Sequence, residues 1–369
     1  MMKVLLIYLG RRGAGPVISK RLTAALSACA ETSLILSSFN ENGAFWTGLE
    51  RVYFIDTFRT GFDAFASLAS RSFIAPIMRK IEAVGPDIIH FPMLHPWSPA
   101  IIAAVLKKIP VISTVHDPVA HKGEKNLSLL FLDGLSIKRS SGLIVHADYF
   151  TETVSKRAGT GAPVFSIPLG TLSDPACPVI FRDPSGQIKN ILFLGRLERY
   201  KGIDLLISAF KKLKAKYPGI CLTIAGEGDI RPYSAAASSS QDIKFENKWL
   251  SGREISGLLS KADMLVAPYI SATQSGILPM AYEAGVPVVV SSSGALPEQA
   301  GFGKYARIFQ SGSSDSLADA MNELIENEEI CSEQVKNAKN YSERDINWDR
   351  IAGLHMNAYN SVIGTGSRG

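Results

Sequence analysis

The stretch Asn190–Gly202, NILFLGRLERYKG, limits the possible folds of this chain more than any other part of it. Its first part, Ile191–Leu194, is a short apolar run that ends at Gly195, as expected for a strand buried on both faces. After Gly202 the apolar residues recur at helical spacing, and a second apolar run follows at Ile220–Ala225. Strand, helix and strand in this order predict a parallel βαβ unit with a right-handed crossover.

Alternating strand and helix patterns run through both halves of the chain and indicate an α/β fold with mainly parallel sheets. At 369 residues the chain is too long for one ordinary domain of this class, so we expect two. Four prolines and two glycines between residues 168 and 187 interrupt the alternation and predict a linker. The predicted division is a first domain over 1–170, a linker over 171–188, a second domain over 189–345, a helix over 346–363 and a disordered tail over 364–369.

The composition describes a globular protein with a modest positive charge. Hydrophobic residues make up 46% of the chain, and no apolar run reaches the ~18 residues that would predict a membrane span. The four cysteines are scattered without metal-ligand spacing, and the N-terminal MMKVLLIYLG predicts a first strand and no signal peptide, so we expect a cytoplasmic protein. The net charge of +5 fits an anionic substrate or a membrane surface, and we expect no nucleic-acid partner.

Two cations in the central stretch point to a phosphate site. Arg196 and Lys201 follow the predicted strand directly, and ligands bind at the carboxyl ends of strands in open α/β sheets. A glycine on each side and a helix that begins next to them suit a diphosphate. The loop Gly10–Gly15, GRRGAG, follows the first strand in the same way and predicts a second close approach of backbone to a ligand.

Four segments form a set that is specific when taken together. They are STVHD (Ser113–Asp117), GRLERYKG (Gly195–Gly202), LTIAGEGD (Leu222–Asp229), and Tyr269–Pro287 with GALPE after it. The set resembles the GT-B glycosyltransferases, and within them the retaining glycosyltransferase family 4 (glycosyl transferases group 1). The resemblance implies two Rossmann-like doubly wound domains facing a cleft, with the C-terminal helix crossing back to the first domain. The first domain would bind the acceptor and the second the nucleotide sugar.

The donor-binding loop departs from the usual pattern of that family, which has two glutamates separated by seven residues. In TQSGILPMAYEAGVPVVV the second glutamate would be Glu283, and Ser275 stands at the position of the first. Alignment backwards from Gly285 instead places Met280 opposite the second glutamate, so the pattern fits only with a gap. Gln274 is the nearest polar substitute, and the Gln-Ser-Gly sequence is similar to one branch of the family. We therefore expect altered donor contacts without loss of activity.

The resemblance assigns catalytic roles to His116, which would contact the donor sugar, and to Arg196 and Lys201, which would neutralise the departing diphosphate. Residues 275–278 would present backbone N–H groups to the phosphates at a helix start, and Glu283 would accept a hydrogen bond from the ribose. The residues expected to bind the donor are Gly13, Gly15, Gln274, Ser275, Gly276, Ile277, Leu278 and Glu283. Fixed cations make a metal unnecessary, so we expect no metal and no cofactor apart from the nucleotide-diphosphate sugar as co-substrate.

The expected function is retaining transfer of a hexose from a nucleotide-diphosphate sugar to a glycan or a polyprenyl-diphosphate-linked glycan in bacterial surface polysaccharide synthesis. Alternatives are a GT-B nucleotide-sugar epimerase, for which no catalytic carboxylates stand out, and a non-catalytic subunit that binds glycan or nucleotide. A Rossmann oxidoreductase is disfavoured because GAGPVI does not complete the G-x-G-x-x-G motif. Peripheral contact with the inner face of the cytoplasmic membrane stays open, because two amphipathic helices carry Arg71, Arg79, Lys80, Lys107 and Lys108.

Overall fold

The structure is a computed structural model that describes residues 1–40, 43–60, 63, 66–67, 70, 72–119, 127–159, 161–173, 177–183, 186–234 and 241–366. The chain forms two compact units. Unit 1 contains the described residues up to Leu169 together with those from Trp348 onward, and unit 2 runs from Gly170 to Asn347.

Unit 1 is built on one parallel sheet of seven strands. The strands are β1 (Lys3–Tyr8), β2 (Glu31–Ser37), β3 (Val52–Ile55), β4 (Ile88–Phe91), β5 (Val111–Thr114), β6 (Gly142–Val145) and β7 (Val164–Ser166), and their order is β3-β2-β1-β4-β5-β6-β7. The helices before residue 170 are α1 (Ala14–Leu26), α2 (Ile74–Val84), α3 (Ser98–Val105), α4 (Leu127–Arg139) and α5 (Thr151–Ala158).

Both faces of this sheet are covered. Val4 and Leu6 of β1 belong to one buried cluster, and Leu5 and Ile7 belong to a second cluster on the opposite face. Successive side chains of a strand point to opposite faces, so a strand covered on both sides needs an unbroken apolar run. This is why the sequence pattern of β1 is continuous and not alternating.

Unit 2 contains a second parallel sheet, of six strands. The strands are β8 (Asn190–Leu194), β9 (Cys221–Ala225), β10 (Ile243–Glu246), β11 (Met264–Ala267), β12 (Val288–Ser291) and β13 (Arg307–Phe309), in the order β10-β9-β8-β11-β12-β13. Its helices are α6 (Ile203–Lys216), α7 (Gly252–Leu259), α8 (Ile277–Ala284), α9 (Leu296–Gln299), α10 (Ser314–Glu326) and α11 (Glu328–Arg344). The predicted βαβ unit is confirmed as β8, α6 and β9, and the α/β class with two parallel sheets is confirmed as well.

The last helix, α12 (Trp348–Gly366), packs within unit 1. Ile351, Tyr359 and Val362 join the same buried cluster as Val4 of β1. The predicted disordered tail is wrong for residues 364–366, which continue the helix, and residues 367–369 lie outside the described part. Val362 of α12 packs closely against Gly142 of β6. A Cβ added at Gly142 would lie only 2.7 Å from a Val362 methyl carbon, so this contact depends on glycine.

The segment predicted as a linker is part of unit 2. The N–H of Arg182 donates to the carbonyl of Ala284 (3.0 Å), and its guanidinium donates to the carbonyl of Ala262 (2.9 Å). Val179 is buried. These contacts fix the described part of this segment beside the end of α8.

In each sheet the strand order reverses once, at β1/β4 in unit 1 and at β8/β11 in unit 2. The crevice outside the carboxyl ends of the strands at such a switch point is where open α/β sheets bind ligands. Within the described part of the chain, no helix is long and apolar enough to cross a membrane.

Candidate active site

The loops that follow β8 and β11 meet at the switch point of unit 2. Gly202 has a φ of +69°, and a Cβ added there would lie 1.9 Å from the carbonyl oxygen of Pro268. No other residue can occupy this position without a shift of backbone. The N–H of Ile270 donates to the carbonyl of Tyr200 at 2.7 Å, so the two loops are held together just beyond the strands.

The two cations predicted from the sequence are positioned by aromatic side chains. The Lys201 ammonium lies 3.6 Å from the ring centroid of Tyr269, and the exposed Arg196 donates to the Tyr200 hydroxyl at 3.0 Å. Among the described residues, neither cation forms an ion pair with a carboxylate. Both positive charges therefore remain uncompensated by carboxylates and can attract an anion.

The turn before α8 is fixed by side-chain contacts. Ser275, which follows the half-buried Gln274, is buried, and its hydroxyl lies 3.1 Å from that of Tyr269. The Ser275 N–H donates to Oε1 of Gln299 (2.8 Å), and Nε2 of Gln299 donates to the Ser275 carbonyl (3.4 Å). This differs from the expectation that the N–H of Ser275 faces a phosphate, because that donor is already used within the protein.

The N–H groups left at the start of α8 are those of Gly276, Ile277 and Leu278. The first N–H groups of a helix have no partner inside it, and Pro279 contributes none. Leu278 is fully buried, so only its backbone is suited to a ligand, whereas Gly276 and Ile277 are half-buried. These three donors keep the anion-binding character predicted for this helix start.

Glu283 lies at the other end of α8. It is six residues beyond Ile277, about 9 Å along the helix axis, and the chain turns from there toward the amino end of β12. One of its carboxylate oxygens is buried, and no described group donates a hydrogen bond to it. Glu283 therefore lies about two turns of α8 beyond the predicted phosphate site, and its role at the ribose stays a prediction.

Part of the glycine-rich loop of unit 1 packs against the side chain of Tyr8. A Cβ at Gly15 would lie 2.5 Å from the Tyr8 hydroxyl oxygen, and one at Gly10 would lie 2.6 Å from it. Gly13, in contrast, has a φ of +87° and open space around the position of a Cβ. Close packing against the buried Tyr8 ring therefore requires glycine at position 15, whereas the left-handed backbone conformation favours glycine at position 13.

His116 follows β5 at the carboxyl edge of the unit 1 sheet. Its Nε2 donates to the carbonyl of Pro92 at 2.7 Å, so Nδ1 of the neutral ring is an acceptor. Its ring centroid lies 4.6 Å from that of His146, which follows β6 and donates through Nδ1 to the carbonyl of Ile167 (2.9 Å). Burial lowers the pKa of both histidines, although the Pro92 carbonyl raises that of His116, so both rings are neutral at pH 7.

The sequence analysis missed Tyr200, Tyr269, Gln299 and His146. Tyr269 and His146 each come just after a strand, as Arg196 and His116 do, and this position was the available signal. Gln299 directly follows the GALPE segment, but nothing local indicates that it reaches Ser275. In the part of the chain that the structure describes, no group of three or more His, Cys, Asp or Glu side chains could hold a metal ion.

Comparison with solved structures identifies the class of the fold. The chain is similar to Anabaena Alr3699/HepE in complex with UDP and glucose, with a TM-score of 0.73 at 18% identity over 98% of this chain and 100% of the other. Two parallel-sheet units that match this structure define the GT-B class of glycosyltransferase folds.

Family models and sequence relatives agree with that class. The Glycosyltransferase Family 4 model matches residues 47–171, and the Glycosyl transferases group 1 model matches residues 183–341. A glycogen synthase of Mycobacterium tuberculosis is 24% identical over 286 residues, covering 74% of this chain and 68% of the relative. A phosphatidyl-myo-inositol mannosyltransferase of the same species is 26% identical over 293 residues, covering 76% and 75%. The chain belongs to these GT-B glycosyltransferases, as the sequence motifs predicted.

Proposed function

We propose that the protein is a metal-independent, retaining hexosyltransferase that uses a nucleotide-diphosphate sugar. Its acceptor would be a glycan or a lipid-linked glycan in bacterial surface polysaccharide synthesis. The observation that carries the proposal is the group of cations and N–H donors at the switch point of unit 2. Arg196 and Lys201 stand there without carboxylate partners among the described residues, and the start of α8 adds backbone donors.

The chemistry follows from the charge that develops on the leaving group. A nucleoside diphosphate gains negative charge as its bond to the sugar breaks, and fixed cations stabilise that charge more in the transition state than in the ground state. The contacts of Lys201 with Tyr269 and of Arg196 with Tyr200 position both cations before the reaction. Little reorganisation is then needed when the bond breaks.

The role proposed for His116 is that of a hydrogen-bond acceptor. Its Nε2 proton is committed to the Pro92 carbonyl, so in a hydrogen bond between Nδ1 of the neutral ring and a sugar hydroxyl, Nδ1 must accept. A neutral ring suits this role, because a protonated one would offer two donors and no acceptor. The resemblance to the retaining family favours attack of the acceptor hydroxyl on the same face as the leaving phosphate.

The donor class can be tested before the acceptor is known. Thermal-shift measurements with UDP, GDP and ADP, and with their hexose conjugates, are made in the presence of EDTA. UDP comes first, because Alr3699/HepE was crystallised with UDP and glucose. We expect one nucleotide to raise the melting temperature, since a ligand that binds only the native state stabilises it.

The variants Arg196→Ala and Lys201→Ala should each abolish most of that shift. Lys211→Ala is the matched control, because Lys211 is an exposed lysine of α6 in the same unit and its removal changes the net charge equally. Stabilisation that persists in both site variants would contradict the assigned phosphate site. A folded protein that responds to no nucleotide would favour the non-catalytic alternative.

The stereochemical course of the transfer can be determined only from a product. Once an acceptor is found, NMR coupling constants of the new anomeric proton decide whether the linkage has the configuration of the donor. We expect retention, and an inverted linkage would reject the same-face mechanism.

Peripheral membrane contact, at the cytoplasmic face, is also part of the proposal. Arg79 is exposed on α2, and Lys107 and Lys108 follow α3, whereas Arg71 lies outside the described residues. The first half of α4 adds apolar surface, with Phe131 66% exposed. Sedimentation with vesicles of anionic lipid should fall for Phe131→Ser and not for Phe302→Ser, which removes an exposed phenylalanine from unit 2. Equal binding by both variants and the original protein would argue against this contact.

A further inference from the structure

A cluster of arginine and phenylalanine side chains lies at the carboxyl edge of the unit 1 sheet, where the proposed function has not yet used it. Arg11 follows β1, Phe39 follows β2, and Phe58 and Arg59 follow β3. These strands are neighbours in the order β3-β2-β1, so the three loops lie side by side. We call Arg11, Phe39, Phe58 and Arg59 the arginine–phenylalanine cluster.

The phenylalanine rings hold both guanidinium groups. The Arg11 Cζ lies 5.4 Å from the ring centroid of Phe39 and 5.6 Å from that of Phe58, and the Arg59 Cζ lies 4.9 Å from the centroid of Phe39. Because both cations lie against one ring, their central carbons are within about 10 Å of each other. A guanidinium held by contact with an aromatic ring keeps N–H donors that can serve a ligand.

The positive charge of the cluster is not neutralised by an ion pair within the described residues. Hydrogen bonds from Thr60 lower the pKa of the exposed Asp63 carboxyl most, and the charge of Arg59 lowers it least, so Asp63 interacts only weakly with that guanidinium. Two cations held this close repel each other, so bringing an anion to them is favourable.

Arg11 has an unused donor as well as an uncompensated charge. Its Nη1 makes one long hydrogen bond, 3.4 Å to the carbonyl of Arg59, and its Nη2 is buried with no partner among the described groups. A buried donor without a partner destabilises the free protein, and a ligand oxygen that accepts from it would remove this cost. The nearby His95 gives no acceptor through Nδ1, because that atom already accepts from the N–H of Trp97 (3.2 Å).

We propose that the arginine–phenylalanine cluster binds an oxyanion carried by the acceptor substrate. This inference rests on the proposed function, since it concerns the acceptor of the same reaction. The oxyanion has two sources that share this chemistry, a phosphate of a lipid-linked glycan or a carboxylate of an acidic glycan. Charge-assisted hydrogen bonds from Arg11 and Arg59 recognise the oxygens of either one.

The test is isothermal titration of the full chain with three probes in the presence of saturating UDP, which occupies the phosphate site of unit 2. Farnesyl diphosphate represents the lipid-linked source, trigalacturonate the acidic glycan, and maltotriose is the neutral control. We expect one anionic probe to bind and its affinity to fall about 10- to 100-fold in Arg11→Gln and in Arg59→Gln. Which probe binds distinguishes the two sources.

Arg51→Gln is the matched control, because Arg51 is an exposed arginine of the same unit that precedes β3, at the opposite edge of the sheet, and its variant should leave binding of the anionic probe unchanged. Arg59 is exposed, so its variant keeps the test valid if Arg11→Gln does not fold. The inference is overturned if neither anionic probe binds, if neither site variant weakens the binding, or if Arg51→Gln weakens it equally. If the unaltered protein does not bind UDP, that result counts against the proposed function and not against the acceptor site. Failure of the proposed function and failure of this inference can therefore be distinguished.

Discussion

The two units share one plan, a parallel sheet covered by helices, but they place their titratable groups differently. All six histidines of the chain lie outside residues 170–347, and those that the structure describes belong to unit 1. Among the described residues, ion pairs occur mainly on the surface of unit 2, such as Lys214 with Asp242 and Arg307 with Glu323. Two units with the same architecture therefore differ in their titratable groups: unit 1 contains buried histidines, and unit 2 carries surface ion pairs. The stabilities of the two units should respond differently to acid.

The interior of unit 1 depends on histidines that stay neutral. His90 in β4 has both ring nitrogens bonded at 2.8 Å, Nδ1 to the hydroxyl of Tyr359 and Nε2 to that of Thr114. The ring of His355 lies 5.4 Å away, and its Nδ1 donates to the carbonyl of Ile351. Burial lowers the pKa of His90 well below its usual value and that of His355 to about 4. This polar cluster ties α12 to the sheet, but only while the rings carry no charge.

Acid should therefore unfold unit 1 before unit 2, and this is the largest effect that we expect. An unfolded histidine titrates near pH 6.5, so between that pH and the lower pKa of the fold the unfolded chain binds more protons, and stability falls as the pH falls. His355 alone should cost about 2 kcal/mol at pH 5, and the other buried histidines add to this. The carboxylates of unit 2, such as Glu254 with a pKa of about 2, lose their partners only at a lower pH.

Tryptophan fluorescence reports mainly on unit 1, because Trp46, Trp97 and Trp348 belong to it and the fourth tryptophan, Trp249 of unit 2, is already 50% exposed in the folded protein. Nucleotide binding reports on unit 2, which contains Arg196 and Lys201. Urea unfolding followed by fluorescence should shift to a lower midpoint between pH 7.5 and pH 5, and UDP should still bind at pH 5 in the absence of urea. A urea midpoint that does not change between pH 7.5 and pH 5 would show that unit 1 is not more sensitive to acid than unit 2.

The glycines of the two units provide the next comparison. Gly202 of unit 2 and Gly85 of unit 1 both have left-handed backbone conformations, but a Cβ at Gly202 meets the carbonyl of Pro268, whereas one at Gly85 has nothing within 4 Å. Gly85→Ala should cost about 1 kcal/mol, the price of the conformation alone. Gly202→Ala should cost about 3 kcal/mol or more, because backbone must move as well. Urea midpoints measure both, and equal losses would show that the loops of β8 and β11 are not held rigidly.

The same comparison shows what could be predicted from the sequence. Apolar runs such as Ile191–Leu194, and cations directly after a strand, are patterns of residues adjacent in the sequence. The strands and the position of Arg196 could therefore be predicted from the sequence. The pairing of Ser275 with Gln299 joins residues 24 apart, and the position of Glu283 at the far end of α8 depends on where the helix begins. Contacts of this kind are decided by packing between elements and leave no local pattern.

Gln299 supplies a smaller effect within unit 2. Gln299→Ala should weaken UDP binding about 5-fold, because one net hydrogen bond to the turn of Ser275 contributes about 1 kcal/mol and its loss frees the start of α8. Gln334 makes the same two-way contact with the backbone of Val288, at 3.1 Å in both directions, but at the amino end of β12. Gln334→Ala should therefore lower the stability of the fold and leave UDP affinity unchanged. Calorimetric titration separates the two, and equal affinities in both variants would show that the turn needs no such support.

One aspartate in each unit allows the electrostatic difference to be tested with matched substitutions. Burial, aided by the charge of Asp117 and opposed by Arg157, raises the pKa of Asp133 on α4 to about 6. For Asp263, burial is outweighed by hydrogen bonds from Asn190, Arg182 and Lys189, and the pKa is lowered.

The two asparagine substitutions should therefore act in opposite directions. A carboxyl whose folded pKa is raised destabilises the fold once it ionises, so Asp133→Asn should stabilise the protein by about 1–2 kcal/mol at pH 8, and the gain should shrink as the pH falls from 6 toward 4. Asp263→Asn should destabilise at pH 8, because a partnered carboxylate loses its charge. Urea unfolding of both variants at pH 8 and pH 5 measures the signs, and a loss of stability in Asp133→Asn at pH 8 would mean that Arg157 compensates its charge fully. The sign of this one substitution therefore decides whether unit 1 differs from unit 2 only through its histidines or through its carboxylates as well.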